Sequence, residues 1–145
     1  MPGKLILVVE DNPDHLELAV LALTELGVTA EIGVARDGTE ALDYLFGQGI
    51  HAGRDTKRQP SFVLLDLKLP KLSGLDVLRS LRSNPLTALV PVIMLTSSSE
   101  QSDMLDCYRS GANSFVRKPV DFADFTQKLD RLQVYWLNVN ESLAP

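Results

Sequence analysis

Several features that mark particular classes of protein are missing from this sequence. Its only cysteine, Cys107, has no partner for an internal disulfide and no metal-ligand spacing around it, which suits a reducing compartment. The longest apolar runs, LILVV and FVLL, are far too short to cross a bilayer, and residues 1–9 lack the pattern of a signal peptide. These absences predict a cytoplasmic protein with no membrane partner, in which Cys107 is a small buried or half-buried side chain.

Positive charge is in deficit as well. The formal net charge is -5, and Lys and Arg form no dense stripe, which argues against a nucleic-acid partner. The lack of any Gly-x-x-x-x-Gly-Lys excludes a P-loop nucleotide enzyme. Apolar residues, by contrast, make up 45% of the 145 residues and include many Val, Leu and Ile, enough to bury one core of ordinary size. One domain over residues 1–145 is therefore expected.

Short apolar runs alternate with helical patterns along the chain. The runs that predict strands are rich in β-branched residues and read KLILVV, TAEIGVA, SFVLL, PVIML and NSFV. Because strands with helices on both faces read as continuous apolar runs, the pattern predicts an α/β domain. Its five-stranded parallel sheet should be doubly wound, with five helices on its two faces.

Local signals predict several helix ends and one long connection. The first helix carries an apolar stripe at helical spacing, made of Leu16, Val20, Leu23 and Leu26. The stripe stops before Gly27, a favoured residue just past a helix end. Ser73-x-x-Asp76 predicts the start of the third helix, and Asp121 has the same role in the last one. The connection over residues 47–60 is long for this fold, and such loops are often functional or mobile.

Charged and hydroxyl side chains follow four of the predicted strands. Glu10 and Asp11 follow the first strand, Asp66 the third, Thr96 the fourth and Lys118 the fifth. In open parallel sheets ligands bind at the carboxyl ends of the strands, so these side chains should converge on one edge. Carboxylates packed there repel one another. Mg²⁺, which prefers carboxylate and water oxygens, would neutralise that repulsion.

Asp66 ends an apolar strand, and the residues after it read as a tight loop. Pro70 and Gly74 punctuate that loop and leave the carboxylate exposed at the edge of the sheet. A carboxylate can act as a nucleophile and form an aspartyl phosphate. Lys118 supplies a positive charge that could pair with Asp66 or with a phosphoryl group placed on it. The pattern therefore predicts phosphoryl transfer to Asp66.

Taken together, these residues resemble the signature of response-regulator receiver domains. The matching residues are Glu10-Asp11, Asp66-x-x-x-Pro70-x-x-x-Gly74, Thr96-Ser97 and Lys118-Pro119. The resemblance covers residues 4–132 and leaves residues 133–145 as an extended C-terminal helix and tail. It implies the flavodoxin-like strand order 2-1-3-4-5. It also implies a sensor histidine kinase as partner, and no enzyme activity beyond the chain's own phosphorylation and slow autodephosphorylation.

The resemblance assigns a role to each residue around the metal. It implies that Asp66 is the phosphoacceptor, that Asp11 is a direct Mg²⁺ ligand and that Glu10 acts through water. The backbone carbonyl of Lys68 would complete the protein's share of the metal ligands. Lys68 and Ser98 also occupy positions where this family tunes the attack of water on the phosphoryl group. A long side chain at 68 predicts a phosphorylated state that lasts minutes or longer.

Three further roles follow from the same resemblance. Thr96 would hydrogen-bond the phosphoryl oxygens, Lys118 would pair with them, and Phe115 would be an aromatic switch that follows Thr96. The Lys118-Pro119 bond is expected to be cis, as is usual in the family. Simpler roles stay open: Asp11 or Asn12 could cap the first helix, Thr96 could cap the fourth, and Phe115 could be an ordinary core residue.

The last helix carries more apolar surface than packing on the sheet requires. A seam at 3,4,3,4 spacing consists of Phe122, Phe125, Leu129, Leu132 and Trp136. The consecutive residues Val134, Tyr135, Trp136 and Leu137 point all round a helix, so part of their surface should be exposed or covered by a partner. Because interfaces favour Tyr and Trp at their centres, we predict a homodimer built partly on these residues.

The tail, the Glu-Asp-Asn-Pro opening, the long connection and the Lys-Pro-Val-Asp-Phe run are similar to the single-domain regulators that pair with phytochrome histidine kinases. This resemblance implies a light-regulated kinase as partner. His15 and His51 lack the helix context of a transfer histidine, and both are expected to face solvent. One alternative function stays open: a constitutive binding module or phosphate sink on a receiver fold.

Overall fold

The computed structural model describes residues 3–25, 27 and 29–143, so Leu26 of the predicted apolar stripe lies outside the described residues. The strands are β1 (Leu5–Val9), β2 (Glu31–Ala35), β3 (Phe62–Leu65), β4 (Val92–Thr96) and β5 (Ser114–Arg117). The helices are α1 (Pro13–Glu25), α2 (Gly38–Phe46), α3 (Gly74–Ser83), α4 (Gln101–Arg109) and α5 (Phe122–Val134). A 3₁₀ turn, Gly49–His51, follows α2, and a π-helical turn, Tyr135–Val139, follows α5.

All five strands are parallel and lie in the order β2-β1-β3-β4-β5. This order confirms the predicted doubly wound, flavodoxin-like sheet. β1 pairs with β2 on one side and with β3 on the other, so the strand order reverses around β1. The carboxyl ends of β1 and β3 therefore border the crevice where ligands bind in folds of this kind.

Two apolar clusters cover the two faces of the sheet. Helices α2, α3 and α4 pack on one face, where buried residues include Leu45, Val77 and Cys107. Helices α1 and α5 pack on the other face, which buries Leu23 and Leu129 among others. Successive strand residues alternate between the two clusters, which explains why the strands read as unbroken apolar runs. The complete burial of Cys107 confirms its expected role as a core side chain.

The predicted starts of α3 and α5 are confirmed by their hydrogen bonds. Ser73 and Asp76 form a reciprocal capping box, in which each side chain accepts from the backbone N–H of the other residue. The Asp121 carboxylate accepts from two backbone N–H groups in the first turn of α5. Both caps satisfy helix N–H groups that have no partner within the helix.

The long connection over residues 47–60 folds back on α2 and the β2 edge. The Arg54 guanidinium lies 4.1 Å from the centre of the Tyr44 ring. Arg58 forms an ion pair with Glu31 of β2. The prediction that His51 faces solvent is wrong: its Nε2 lies 3.1 Å from a Glu40 oxygen, and its side chain is only 23% exposed. The 3₁₀ turn is the reason, because it turns the His51 ring back onto α2.

The C-terminal segment differs from its prediction at two residues. Phe122 was expected in the core but is 40% exposed, because as the first residue of α5 it borders an open cavity rather than the core. Leu137, assigned to an interface from the sequence, is only 6% exposed and packs with the α1 and α5 cluster. Its carbonyl oxygen also accepts a hydrogen bond from Lys4. Val134 and Tyr135 remain exposed, as the surplus of apolar residues predicted.

Within residues 3–25, 27 and 29–143, no helix is long and apolar enough to cross a membrane.

Candidate functional site

Three carboxylates meet at the carboxyl ends of β1 and β3. Glu10, Asp11 and Asp66 each offer an oxygen, and these oxygens all lie within 4.8 Å of one another. Glu10 is buried at 4% exposure, whereas Asp11 is exposed and the Asp66 side chain is 12% exposed. The sequence prediction that these residues converge is therefore confirmed.

Backbone hydrogen bonds beyond the strands hold two of these residues in place. The Asp66 N–H donates to the Val9 carbonyl at 3.1 Å, and the Glu10 N–H donates to the Ala35 carbonyl at 3.0 Å. Gly74 packs so closely on the loop after β3 that a Cβ there would lie 2.1 Å from the Asp66 carbonyl oxygen. This close approach explains why a glycine occupies position 74.

Lys118 brings the positive charge to this cluster. Its Nζ lies 3.1 Å from Asp66 Oδ2, donates to Glu10 Oε1, and lies 3.2 Å from Nδ1 of His15. The Lys118 backbone N–H donates to the Thr96 carbonyl at 2.8 Å, which sets the lysine beside the end of β4. The Lys118 side chain is only 10% exposed, so solvent screens its charge weakly.

The electrostatics of the cluster favour an additional cation. Burial and the neighbouring Asp66 carboxylate together raise the pKa of Glu10 to about 7, against the opposing effect of Lys118. A proton on Glu10 is thus one way to relieve the excess of negative charge. The donor atoms are all oxygens, which suit a hard divalent cation such as Mg²⁺ or Mn²⁺. The residues present therefore fit a divalent metal.

The other predicted site residues border this cluster. Thr96, at 1% exposure, ends β4, and its Oγ1 accepts from the Ser98 N–H at 3.2 Å. Phe115 lies on β5, packs partly against the core, and its N–H donates to the Tyr108 hydroxyl at 3.2 Å. Lys68 is exposed, and its backbone N lies 3.3 Å from Asp66 Oδ1.

The prediction that the Lys118-Pro119 peptide bond is cis is wrong. Among residues 3–25, 27 and 29–143 every peptide bond is trans. The trans form is the intrinsic preference of an X-Pro bond. The Lys118 side chain reaches the carboxylates from this trans backbone.

Sequence reasoning left Asn12 and Asp11 open as the cap of α1 and missed the contact that His15 makes. Asn12 is the cap: its Oδ1 accepts from the Asp14 N–H at 2.9 Å and the His15 N–H at 3.2 Å. His15 was expected to face solvent, and its side chain is 46% exposed, yet its ring contacts Lys118. The available signal was position: His15 lies in the first turn of α1, the turn nearest the carboxyl end of β1.

Comparison with known protein families identifies this architecture. The family model for the response regulator receiver domain matches residues 6–130. The chain belongs to this family, the receiver domains of two-component response regulators. Proteins of this class are response regulators rather than enzymes in the ordinary sense, and they interact with histidine kinases.

Two relatives match nearly the whole chain. The probable methanogenesis regulatory protein FilR2 of Methanothrix harundinacea is 38% identical over 141 residues, which span 97% of this chain and 88% of that protein. The response regulator Rcp1 of Synechocystis sp. is 31% identical over 136 residues, which span 94% of this chain and 90% of Rcp1.

Solved structures agree with the fold. The phosphorylated cyanobacterial phytochrome response regulator RcpA superposes with a TM-score of 0.90 at 31% identity, covering 97% of this chain and 99% of RcpA. The bacteriophytochrome response regulator AtBRR superposes with a TM-score of 0.77 at 46% identity, covering 97% of this chain and 100% of AtBRR. The Mn²⁺-bound form of Rcp1 superposes with a TM-score of 0.88 at 30% identity, covering 97% of this chain and 99% of Rcp1. A divalent metal site in this fold therefore agrees with the carboxylate cluster.

Proposed function

We propose that Asp66 accepts a phosphoryl group from the phosphohistidine of a sensor histidine kinase, with Mg²⁺ as cofactor. The observation that carries this proposal is the meeting of the Lys118 ammonium with the carboxylates of Glu10, Asp11 and Asp66. Phosphoryl transfer needs mainly positioning and charge neutralisation, and this arrangement supplies both. The chain would catalyse only its own phosphorylation and slow autodephosphorylation.

In the transfer step an oxygen of Asp66 attacks phosphorus as the P–N bond to the donor imidazole breaks. The imidazole leaves with the electron pair of that bond and takes up a proton. Because the Lys118 Nζ already lies 3.1 Å from Asp66 Oδ2, it can neutralise charge on the phosphoryl oxygens. Partial exposure of the Asp66 side chain leaves it accessible from the crevice.

The metal ligands follow from the same cluster. Asp11 and Asp66 would bind Mg²⁺ directly, Glu10 would act through water, and the backbone carbonyl of Lys68 would add one more oxygen. The bound cation would neutralise charge between the carboxylates and the phosphoryl group. Mg²⁺ is the proposed ion because it is bound by one or two carboxylates together with phosphate oxygens in many phosphoryl-transfer sites.

Thr96 and Phe115 would carry the signal from the phosphoryl group to the surface. In the structure the Thr96 hydroxyl accepts from the Ser98 N–H, and the Ser98 hydroxyl donates to Asp103 of α4 at 2.6 Å. If Thr96 turns to the phosphoryl group, it gives up the Ser98 contact and changes the loop that leads into α4. Phosphorylation would thereby bias a two-state equilibrium in α4, β5 and α5.

The proposed kinase is of the phytochrome type. Support comes from RcpA and AtBRR, which are phytochrome and bacteriophytochrome response regulators and match this chain over 97% of its length. The test is transfer of radiolabel from an autophosphorylated bacteriophytochrome kinase. Rapid loss of label from the kinase and its appearance on the native chain, but not on Asp66→Asn, supports the pairing. Equal transfer from a kinase unrelated to phytochromes contradicts that specificity.

We also propose a homodimer that uses the exposed part of the last helix. Val134 is 40% exposed and Tyr135 is 48% exposed, and the Tyr135 ring contacts Trp136 edge-on at 5.0 Å. Sedimentation should show a dimer that Tyr135→Glu weakens, while the control Ile50→Glu, at an exposed residue on the distant 3₁₀ turn, leaves it unchanged. A native monomer with and without phosphorylation would rule the dimer out.

We also propose that residues 1–145 form one receiver domain and that the protein is cytoplasmic. Histidine kinases draw their phosphoryl group from ATP, a cytoplasmic reagent. Support for the receiver domain comes from the family match, which covers residues 6–130.

A further inference from the structure

The Lys118 ammonium has three acceptors, and only two of them are carboxylates. Its Nζ contacts Glu10 Oε1, lies 3.1 Å from Asp66 Oδ2 and lies 3.2 Å from His15 Nδ1. An ammonium group carries three N–H donors, so these three acceptors use them all. The imidazole is thus a full partner of the lysine that the proposed function places at the phosphoryl group.

The position of His15 is set by a hydrogen bond of its own backbone N–H. Asn12 caps α1 by accepting from the His15 N–H at 3.2 Å, so the turn that presents Asp11 to the metal also sets the position of His15. The His15 ring lines the narrow space next to Glu10 and Asp66. It also lines a second cavity of about 290 Å³, which Ser97, Pro119 and Phe122 border. Lys118 lines both spaces as well, so His15 and the lysine lie together where the carboxylate cluster meets this cavity.

In the proposed mechanism Glu10 interacts with two cations, the metal ion and the Lys118 ammonium, whereas His15 interacts only with Lys118. The Glu10 carboxylate belongs to the metal cluster and also accepts from Lys118. His15 is not one of those three carboxylates, and its Nδ1 lies 3.6 Å from Glu10 Oε1. The lysine side chain is long and rotates about four bonds, so a third partner beside the two carboxylates restricts its ammonium group further.

We propose that His15 is a positioning residue for phosphoryl transfer. Its imidazole, with the ring proton on Nε2, accepts a hydrogen bond from Lys118 at Nδ1 and holds the ammonium beside Asp66. This inference rests on the proposed function, because it requires Lys118 to act at a phosphoryl group on Asp66. His15 itself takes no phosphoryl group and binds no metal in this role.

The test compares the initial rate of phosphorylation by acetyl phosphate and Mg²⁺ in His15→Leu, His15→Gln and the native chain. A small donor removes any effect of kinase docking. His15→Leu should slow the reaction by about 3- to 10-fold, the effect of one partly exposed hydrogen bond to a charged group. His15→Gln, whose amide oxygen can accept from Lys118, should recover most of that loss. The matched control is His51→Leu, the same change at the histidine that contacts Glu40, and it should keep the native rate.

Two readouts besides the rate make the outcome decisive. The Mg²⁺ affinity measured by calorimetry should be unchanged in His15→Leu, and nitrogen NMR of the metal-free native chain should find His15 as the Nε2–H tautomer. A native rate in His15→Leu, an equally slow His15→Gln, or the Nδ1–H tautomer would overturn the proposal. Failure of the proposed function looks different, because the native chain would then take no phosphoryl group or Asp66→Asn would still take one.

Discussion

Arg82 should be a main determinant of stability in this receiver domain. Its guanidinium donates to the carbonyl oxygens of Gly111 at 2.9 Å, Ala88 at 3.1 Å and Val90 at 2.8 Å. It also donates to Asn113 Oδ1 at 3.0 Å. These contacts join α3 to the loops that enter β4 and β5. Arg82 is half-buried, and this burial lowers the pKa of its guanidinium.

The substitution Arg82→Met keeps the apolar stem and removes these four hydrogen bonds together with a longer one to the Thr87 carbonyl at 3.5 Å. Each such bond to a charged group contributes about 1.5 to 3 kcal/mol where water cannot replace it. Val90 is buried, but Ala88 and Gly111 are half-buried and Asn113 is exposed, so water restores part of the loss. We therefore count the equivalent of about two hydrogen bonds at about 1.5 kcal/mol each, so the free energy of unfolding should fall by about 3 kcal/mol. For a chain of this size that corresponds to a fall in Tm of about 6 to 12 °C.

Urea unfolding followed by circular dichroism measures this loss directly. The matched control is Arg79→Met on the same helix, because Arg79 is exposed and makes one side-chain hydrogen bond, to Ser110 Oγ at 3.3 Å. It removes the same charge and should cost less than about 0.5 kcal/mol. Equal losses in the two variants, or a loss below about 1 kcal/mol for Arg82→Met, would refute the reasoning.

Three further predictions concern the site and the core. Burial raises the pKa of Glu10 to about 7, and metal ligands bind as the deprotonated form. The apparent Mg²⁺ Kd should therefore rise about 25-fold between pH 7.5 and 5.5 in calorimetry, and a flat profile would contradict the assignment. Burial raises the pKa of Cys107 to about 11, so at pH 8 ionisation alone should slow its alkylation about 100-fold relative to the urea-unfolded chain. Equal rates would show that the thiol is not held in the core. Lys68→Asn should speed dephosphorylation about 3- to 10-fold by removing a side chain that shields the phosphoryl group, and an unchanged rate would exclude shielding.

The fold and the position of the site could be predicted because both depend on patterns close in sequence. Unbroken apolar runs such as LILVV are typical of strands whose two faces are both covered by helices. Once the sheet is parallel, the residues after β1, β3 and β5 must lie at one edge, whatever their separation in the chain. This geometry is why Glu10, Asp66 and Lys118 could be grouped before their distances were known.

The contacts that were missed depend on how side chains meet across the fold. His15 reaches Lys118, 103 positions away, and His51 turns back to Glu40 through a 3₁₀ turn that no local pattern predicts. Phe122 fits the spacing of the α5 seam, yet it is 40% exposed and borders an open cavity. The Arg82 network likewise depends on two loops that only the folded chain brings to one helix.

The most direct test of the central claim is intact-mass spectrometry after incubation with acetyl phosphate. We predict one added phosphoryl group on the native chain when Mg²⁺ is present, and none with EDTA or in Asp66→Asn. The control Asp14→Asn changes an exposed acid next to His15 and should still be labelled. Label on Asp66→Asn, or no label on the native chain with Mg²⁺, would contradict the claim and favour a binding module on a receiver fold.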